Sequence, residues 1–329
     1  ILLKQTRDYA IPSSVDARFF DAKKNCFLST QIKTFAAMLQ AAEQEKGAAA
    51  LVLSNLEKSN RLVAQLNHPN RYFIIHNAIN ESLKARRRHP VAWLKMRQAF
   101  KVLSGKNLIA VSQGVQRGIA ASKLIRPASV NVIYNPVDVA KIIELASEPT
   151  TRLPSGPYLI HVGRVARQKR YDVLFEALSK TQTNIPLVCL CRNIKKAKKI
   201  AQRFGVLDRV IFPAFQQNPY PWIKNAKALV LSSDFEGLGM VLIEALICET
   251  IVISTDCNYG PREILTGPLS RNLVPVGDSQ QLAARMDEVA NNLVPFVKSP
   301  IVEDVNANNI AKQYLALIEK PQVTTKQIQ

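Results

Sequence analysis

Residues 231–246 read LSSDFEGLGMVLIEAL and hold two carboxylates, Glu236 and Glu244, with seven residues between them. An apolar strand end is followed by a turn at Gly237 and Gly239 and then by an apolar run of helix formers. A chain that turns on glycines into a helix aims free backbone N–H groups at the turn, and such a helix start binds phosphate readily. One carboxylate sits at the mouth of that site and the other about two turns down the helix. The set suits a ligand that carries both phosphate and a hydroxyl-rich sugar. Taken alone, the same stretch also reads as an ordinary strand-to-helix connection.

Two further stretches have the same form. Residues 161–169, HVGRVARQK, directly follow a short apolar strand, and ligands of open α/β sheets bind at the carboxyl ends of strands. Arg164 and Lys169 stand at that edge. A guanidinium and an ammonium there hold a diphosphate and stabilise charge that develops as it leaves; taken alone, they are also a solvated basic loop. Residues 256–265, DCNYGPREIL, form a third such loop. Three of them in one domain, in this order, are more specific than any one. His76 ends the strand-like run YFIIHN, where a histidine serves either an active site or a structural hydrogen bond. His161 lies inside a strand and reads as core, whereas His68 and His89 read as surface residues.

The elements that position these loops alternate. Beyond residue 157, strands over 158–162, 187–190, 210–212, 228–231, 251–254 and 272–275 alternate with helices over 171–178, 197–204, 220–225, 262–265 and 280–291. Strand–helix alternation specifies parallel βαβ units and hence a doubly wound sheet. The first half is less regular. Residues 1–20 read as a strand and a loop. A helix over 31–45 ends at Gly47, strands follow over 48–54, 72–75, 108–112 and 129–134, and a helix is expected over 114–124. Pro90 sits at a plausible first helical position. Residues 139–156 combine a short helical piece with EPTTRLPSGP and mark a linker. The chain therefore divides into a first domain over 1–150, a ligand-binding domain over 151–305, and a C-terminal helix and tail over 306–329 that is expected to cross back toward the first domain.

A length of 329 residues and an apolar content of 47% suit two domains with cores of their own. The charge is lopsided: 44 Lys and Arg against 25 Asp and Glu give +19, and residues 1–150 carry 22 basic against 10 acidic side chains. Such a field favours anionic partners, whether membrane surface, nucleic acid or phosphorylated substrates. Cys26, Cys189, Cys191, Cys248 and Cys257 show no zinc-like spacing and read as reduced core residues. No apolar run reaches the length of a membrane span, and no signal peptide is evident.

On VGRVARQK, SSDFEGLGMVLIEAL and STDCNYGPREIL, the second half resembles the donor-binding domain of the family 4 glycosyltransferases, whose fold is GT-B: two Rossmann-like doubly wound α/β domains facing a cleft. The spacing of Glu236 and Glu244 is that family's signature, and IYNPVD at 133–138 resembles its inter-domain region. The likeness is strong over 157–276 and extends over 70–290. It implies a retaining transferase that needs no metal or cofactor and moves a hexose or N-acetylhexosamine from a nucleotide diphosphate sugar, by family frequency a uridine diphosphate sugar. It further implies that Arg164 and Lys169 grip the diphosphate beside Gly163 and that Glu236 contacts the donor sugar. Gly237, Leu238, Gly239, Met240 and Val241 would present backbone N–H groups, Glu244 would accept from the ribose hydroxyls, and His76 would lie close to the donor sugar. In such enzymes the acceptor attacks from the face that the phosphate leaves, and the leaving phosphate serves as base.

Two departures stand out. The strand and Gly-rich loop that open the family's first domain are not found here, and a chain starting at Ile1 is expected to begin after them. In CLCRNIKKAKKI, Arg192 and Asn193 stand where the family has a Gly-containing turn. The segment 84–106 holds eight basic and no acidic residues, with Trp93, Met96 and Phe100 at helical spacing. It reads either as a helix lying on an anionic bilayer or as a helix packed on the sheet with a solvated basic side. The resulting expectation is a cytoplasmic enzyme, peripheral on the inner face of the membrane, that acts on a cell-surface glycan or glycolipid of the lipopolysaccharide kind. Its rivals are a truncated, inactive nucleotide-binding homologue and a basic nucleic-acid-binding α/β protein, although no aromatic-and-basic platform motif supports the latter.

Overall fold

The computed structural model describes residues 13–18, 20, 27–77, 79–84, 86–150 and 153–319. The strand and loop expected over 1–20 fall largely outside them, and Cys26 and the tail from Pro321 lie outside altogether. Along the first half run α1 (Leu28–Lys46), β1 (Val52–Asn55), α2 (Glu57–Val63), β2 (Arg71–Ile75), α3 (Ile79–Lys84), α4 (Pro90–Lys101), β3 (Asn107–Ala110), α5 (Gln113–Ala121), β4 (Ser129–Val132) and α6 (Val139–Ala146). The second half holds β5 (Leu159–Val162), α7 (Tyr171–Lys180), β6 (Leu187–Leu190), α8 (Ile194–Arg203), β7 (Val210–Ile211), α9 (Tyr220–Lys224), β8 (Ala228–Leu231), α10 (Met240–Ile247), β9 (Ile251–Thr255), α11 (Pro261–Ile264), β10 (Leu273–Val274), α12 (Ser279–Ala290), α13 (Ile301–Asp304) and α14 (Ala307–Glu319).

Local chemistry sets several boundaries. Gly47 ends α1 at φ 90°, its N–H on the Glu43 carbonyl. Ser112, Asp138, Asn193 and Asp278 each accept a hydrogen bond from the third residue of the helix they precede. Asn193 therefore starts α8 by capping it, and the expected helix over 197–204 begins three residues early.

Both sheets are parallel. The first has the order β1-β2-β3-β4 and the second β10-β9-β8-β5-β6-β7. The order of the second reverses between β5 and β8, which is where a doubly wound sheet opens a crevice at its carboxyl edge. Alternate residues of its strands serve opposite faces. Ile160, Val188, Leu229 and Val252 belong to a core that continues into the first domain through Phe73 and Ile109. Leu159, Cys189, Val230 and Ile253 pack with Leu174 and Phe175 of α7 and Met286 of α12. Covered on both faces, β6 (LVCL) and β8 (ALVL) are uninterrupted apolar runs. The stretch before α14 pairs with the chain after β4: Val137 N–H donates to Val305 O (2.8 Å) and Ala307 N–H to Val137 O (3.0 Å).

In the basic segment, Met96, Ala99 and Phe100 face the core while Trp93 stays partly accessible beneath the Arg97 guanidinium at 5.6 Å. His89 is exposed as expected. His68 is not a surface residue: it is buried, joined to the Ala49 carbonyl at 2.9 Å and accepting from Asn70 N–H, so that it ties the approaches to β1 and β2 together. Cys189, Cys191, Cys248 and Cys257 are buried and unpaired. Among the described residues, no helix is long and apolar enough to cross a membrane.

Candidate functional site

The crevice between β5 and β8 is walled by three loops. The loop after β5 is tied to the loop after β8 along both backbones: Asp234 N–H donates to Gln168 O (2.8 Å), the Gln168 amide to Phe235 O (2.5 Å), and the Ser232 hydroxyl to Lys169 O (2.8 Å). Arg170, at φ 45°, forks onto Asp172 and reaches Asp234 at 2.7 Å. A left-handed non-glycine residue is costly and persists where its surroundings over-determine it; the two carboxylates do so here. The loop after β9 joins through a parallel bridge between Phe235 and Asn258.

On this frame the sequence-predicted residues converge. Lys169 Nζ donates to Glu236 Oε1 at 2.8 Å, with the two side chains 15% and 9% exposed. Such a pair is held together mainly because either partner alone would be a poorly solvated charge. Arg164 is exposed, and its guanidinium makes no hydrogen bond among the described residues. Gly163 leaves little room: a Cβ there would lie 3.1 Å from His161 Nε2 and 3.7 Å from the Lys169 stem. Gly239, at φ 91°, precedes α10, whose first N–H groups have no partner within the helix. Leu238 turns its side chain into the core, so only its backbone faces the crevice.

Glu244 is half-buried and its carboxylate makes no hydrogen bond among the described residues. Burial pushes its pKa up to about 7, against the pull of Lys169. A raised folded-state pKa means that the folded protein holds the proton more tightly. The associated stability is complete below about pH 4.5 and is lost as pH rises through 7. Glu244→Gln is therefore expected to leave the melting temperature unchanged at pH 4.5 and to raise it at pH 8. With partial exposure discounted, the gain is roughly 2 kcal/mol, or about 5 °C by calorimetry.

The two histidines separate. His161 is fully buried, donates from Nδ1 to the Val230 carbonyl (2.8 Å) and meets the Tyr171 ring edge-on; burial pushes its pKa down to about 4. His76 donates from Nε2 to Asn55 Oδ1 at 3.0 Å, and burial lowers its pKa, which keeps the ring neutral near pH 7. Its carbonyl oxygen faces Gly237, where a Cβ would lie 1.9 Å away. His76 thus meets the loop after β8 across the cleft through its backbone.

Glu263 lies within DCNYGPREIL, and nothing else in the local sequence signals its role. Its carboxylate accepts from Gln113 N–H (2.8 Å) and Gly114 N–H (2.5 Å) at the start of α5 and from the Tyr134 hydroxyl (3.4 Å), so that a second-domain carboxylate caps a first-domain helix. The Ser112 hydroxyl adds a 2.7 Å bond to Gly237 O. Burial, then the Glu263 charge, pushes the Tyr134 phenol up to about 12. Loss of these bonds in Glu263→Ala should lower stability by about 1–3 kcal/mol in urea unfolding. A change within 0.3 kcal/mol would mean the cap is replaced by water.

Residues 144–296 match the family described as Glycosyl transferases group 1. Over 196 residues the chain is 29% identical to the lipopolysaccharide 1,6-galactosyltransferase of Salmonella typhimurium, covering 57% of this chain and 53% of that protein. The Escherichia coli protein of the same name is 32% identical over 186 residues, 52% and 48% of the two chains. The chain spans about half the length of the curated relatives it matches. Among solved structures, the lipopolysaccharide outer core galactosyltransferase WaaB in its apo form superposes with a TM-score of 0.66 at 20% identity, over 93% of this chain and 85% of that one. Anabaena HepE in complex with UDP and glucose gives 0.65 at 18% identity, over 92% and 83%. The fold is GT-B.

Proposed function

We propose that this protein is a glycosyltransferase that moves a hexose or N-acetylhexosamine from a uridine diphosphate sugar to a cell-surface glycan or lipid-linked acceptor, with retention of configuration. The observation that carries the reading is the convergence, at the β5–β8 reversal, of the Lys169–Glu236 pair, the unpartnered Arg164 and Glu244, and the free amides that open α10. The names of the galactosyltransferase relatives and the UDP and glucose in the HepE complex support it.

In this reading the diphosphate lies between the α10 amides and the two cations, and Lys169 moves from Glu236 to the phosphate. That exchange frees Glu236 to accept from a sugar hydroxyl as Lys169 meets the charge that grows on the leaving oxygen. The unpaired Glu244, ionised as the two ribose hydroxyls donate to it, accepts from both, a role that suits a carboxylate. The C1–phosphate bond breaks with its electrons on the diphosphate, the acceptor oxygen bonds to C1 on the same face, and its proton passes to the departing phosphate. Neutralisation falls to Arg164 and Lys169, without a metal or resident cofactor. In this reading the exposed basic side of residues 84–106 adds attraction to an anionic membrane surface, which supports a peripheral position on its cytoplasmic face.

Thermal shift with a panel of ligands tests the reading. Uridine diphosphate at about 100 times its dissociation constant should add about 2.7 kcal/mol of stability, and Glu244→Ala should remove most of it. Stabilisation by oligonucleotide and not by uridine diphosphate would replace this reading with nucleic-acid binding. Nucleotide binding without donor hydrolysis or transfer would reduce the protein to an inactive homologue.

A further inference from the structure

Between the domains lies a cavity of about 400 Å³ that the donor reading leaves unused. Asn80, Glu81, Lys84 and Arg87, from α3 and the turn after it, line one side with Trp93 of α4; Asn258 and Tyr259 of the loop after β9 line the other. It therefore lies where the chain beyond His76 meets the loop that is bridged to Phe235, next to Glu236 and Gly237.

Three observations define what it would take. The first is the pairing of two amphipathic aromatic rings with short polar side chains. Trp93 and Tyr259 are both partly accessible and offer flat apolar faces suited to the C–H face of a sugar ring. Asn80, Asn258 and Glu81 supply donors and acceptors for hydroxyls. The second is charge. Lys84 is tied to Glu81 at 3.0 Å, whereas Arg87 is exposed and forms no ion pair among the described residues, so one cation of the set is uncompensated. A guanidinium so placed matches a phosphate in two-point geometry. The third is backbone strain. Tyr259 sits at φ 73°, a left-handed conformation that a bulky residue rarely adopts. The pose is held on both sides: a Cβ on Gly260 would come within 2.1 Å of Leu238 O, and one on Gly114 within 2.7 Å of the Tyr259 Cα. Packing from two domains holds this left-handed residue in place, with its ring in the lining of the cavity.

We propose that this cavity is the acceptor subsite and that it takes a glycan bearing a phosphate close to the accepting sugar, with the sugar between Trp93 and Tyr259 and the phosphate on Arg87. The proposal rests on the transferase reading above. The same chemistry is offered by a phosphorylated glycan and by the diphosphate of a lipid-linked sugar.

The experiment is calorimetric titration of the full chain saturated with uridine diphosphate, so that the donor site is filled. The probes are a neutral disaccharide, the same disaccharide 1-phosphate, and the same sugar on a short isoprenyl diphosphate. Both anionic probes should bind at least tenfold more tightly than the neutral one, and the tighter of the two identifies the source. Arg87→Ala should remove that tenfold advantage, about 1.4 kcal/mol, and leave neutral-sugar affinity unchanged. Trp93→Ala should weaken all three probes. Equal binding of neutral and anionic probes, or an Arg87→Ala protein with the wild-type preference, overturns the proposal. Uridine diphosphate affinity and donor hydrolysis are measured on the same samples. If they are intact while the probes behave in that contrary way, the acceptor subsite alone falls. If wild type binds no uridine diphosphate, the transferase reading falls with it.

Discussion

Lys169→Met should lower turnover by about a thousandfold, while donor affinity falls far less. The reason is positional. Lys169 Nζ is held 2.8 Å from Glu236 at the mouth of α10, between the loops whose strands flank the sheet reversal. Its charge is of most use when the leaving diphosphate gains its own. The single substitution also strands a 9%-exposed Glu236 carboxylate, and breaking such a pair typically costs about 3–5 kcal/mol, so lost activity alone would be ambiguous. Lys169→Met/Glu236→Gln resolves this. The double variant should recover a melting temperature close to wild type, because no buried charge is left alone, and should remain inactive. Recovery of activity with stability would make the pair a scaffold contact.

Gly237→Ala should cost about a hundredfold in turnover with nucleotide affinity nearly kept. A Cβ at 237 would lie 1.9 Å from the His76 carbonyl oxygen and 3.1 Å from its carbonyl carbon. Both are backbone atoms at the end of β2, a strand buried over most of its length, so the domains themselves must part. That separation also pulls Gly237 O from the Ser112 hydroxyl and Glu263 from α5. A displacement of about 1 Å between reacting groups commonly costs on the order of 10² in rate. The nucleotide contacts assigned to Glu244 and α10 lie wholly in the second domain and are spared. Gly156→Ala, where a Cβ meets nothing within 4 Å, is the control and should match wild type. Unchanged turnover in Gly237→Ala would mean that the domain approach seen here is not the one in which transfer occurs.

The second domain was far more legible in the sequence than the first, for identifiable reasons. Strands β6 and β8 lie at their expected bounds because both sheet faces are covered, which leaves LVCL and ALVL as unbroken apolar runs. In the first domain, α2 (EKSNRLV) and α3 (INESLK) were not foreseen, because helices of seven and six residues are too short to show a periodic stripe. The strand expected over 48–54 begins only at Val52, since three alanines add apolarity without the β-branching that favours a strand. His68 looked like surface because nothing local announces the Ala49 carbonyl it meets. The site divides along the same line. Arg164, Lys169, Glu236 and Glu244 follow from loop and helix-start chemistry that is local in sequence. The closure of Lys169 on Glu236, 67 residues away, and of Glu263 on α5, about 150 residues away, is a product of topology. For Glu263 the one signal was its place in a motif whose neighbours already had a use.

The central claim is that the β5–β8 crevice binds a nucleotide diphosphate, and the most direct measurement is a crystal structure of the protein soaked with uridine diphosphate. The diphosphate is expected on the amides of Gly239 to Val241, with Arg164 and Lys169 within hydrogen-bonding distance, Lys169 drawn away from Glu236, and the ribose hydroxyls on Glu244. Nucleotide density elsewhere, or an undisturbed Lys169–Glu236 pair beside a bound diphosphate, would contradict it.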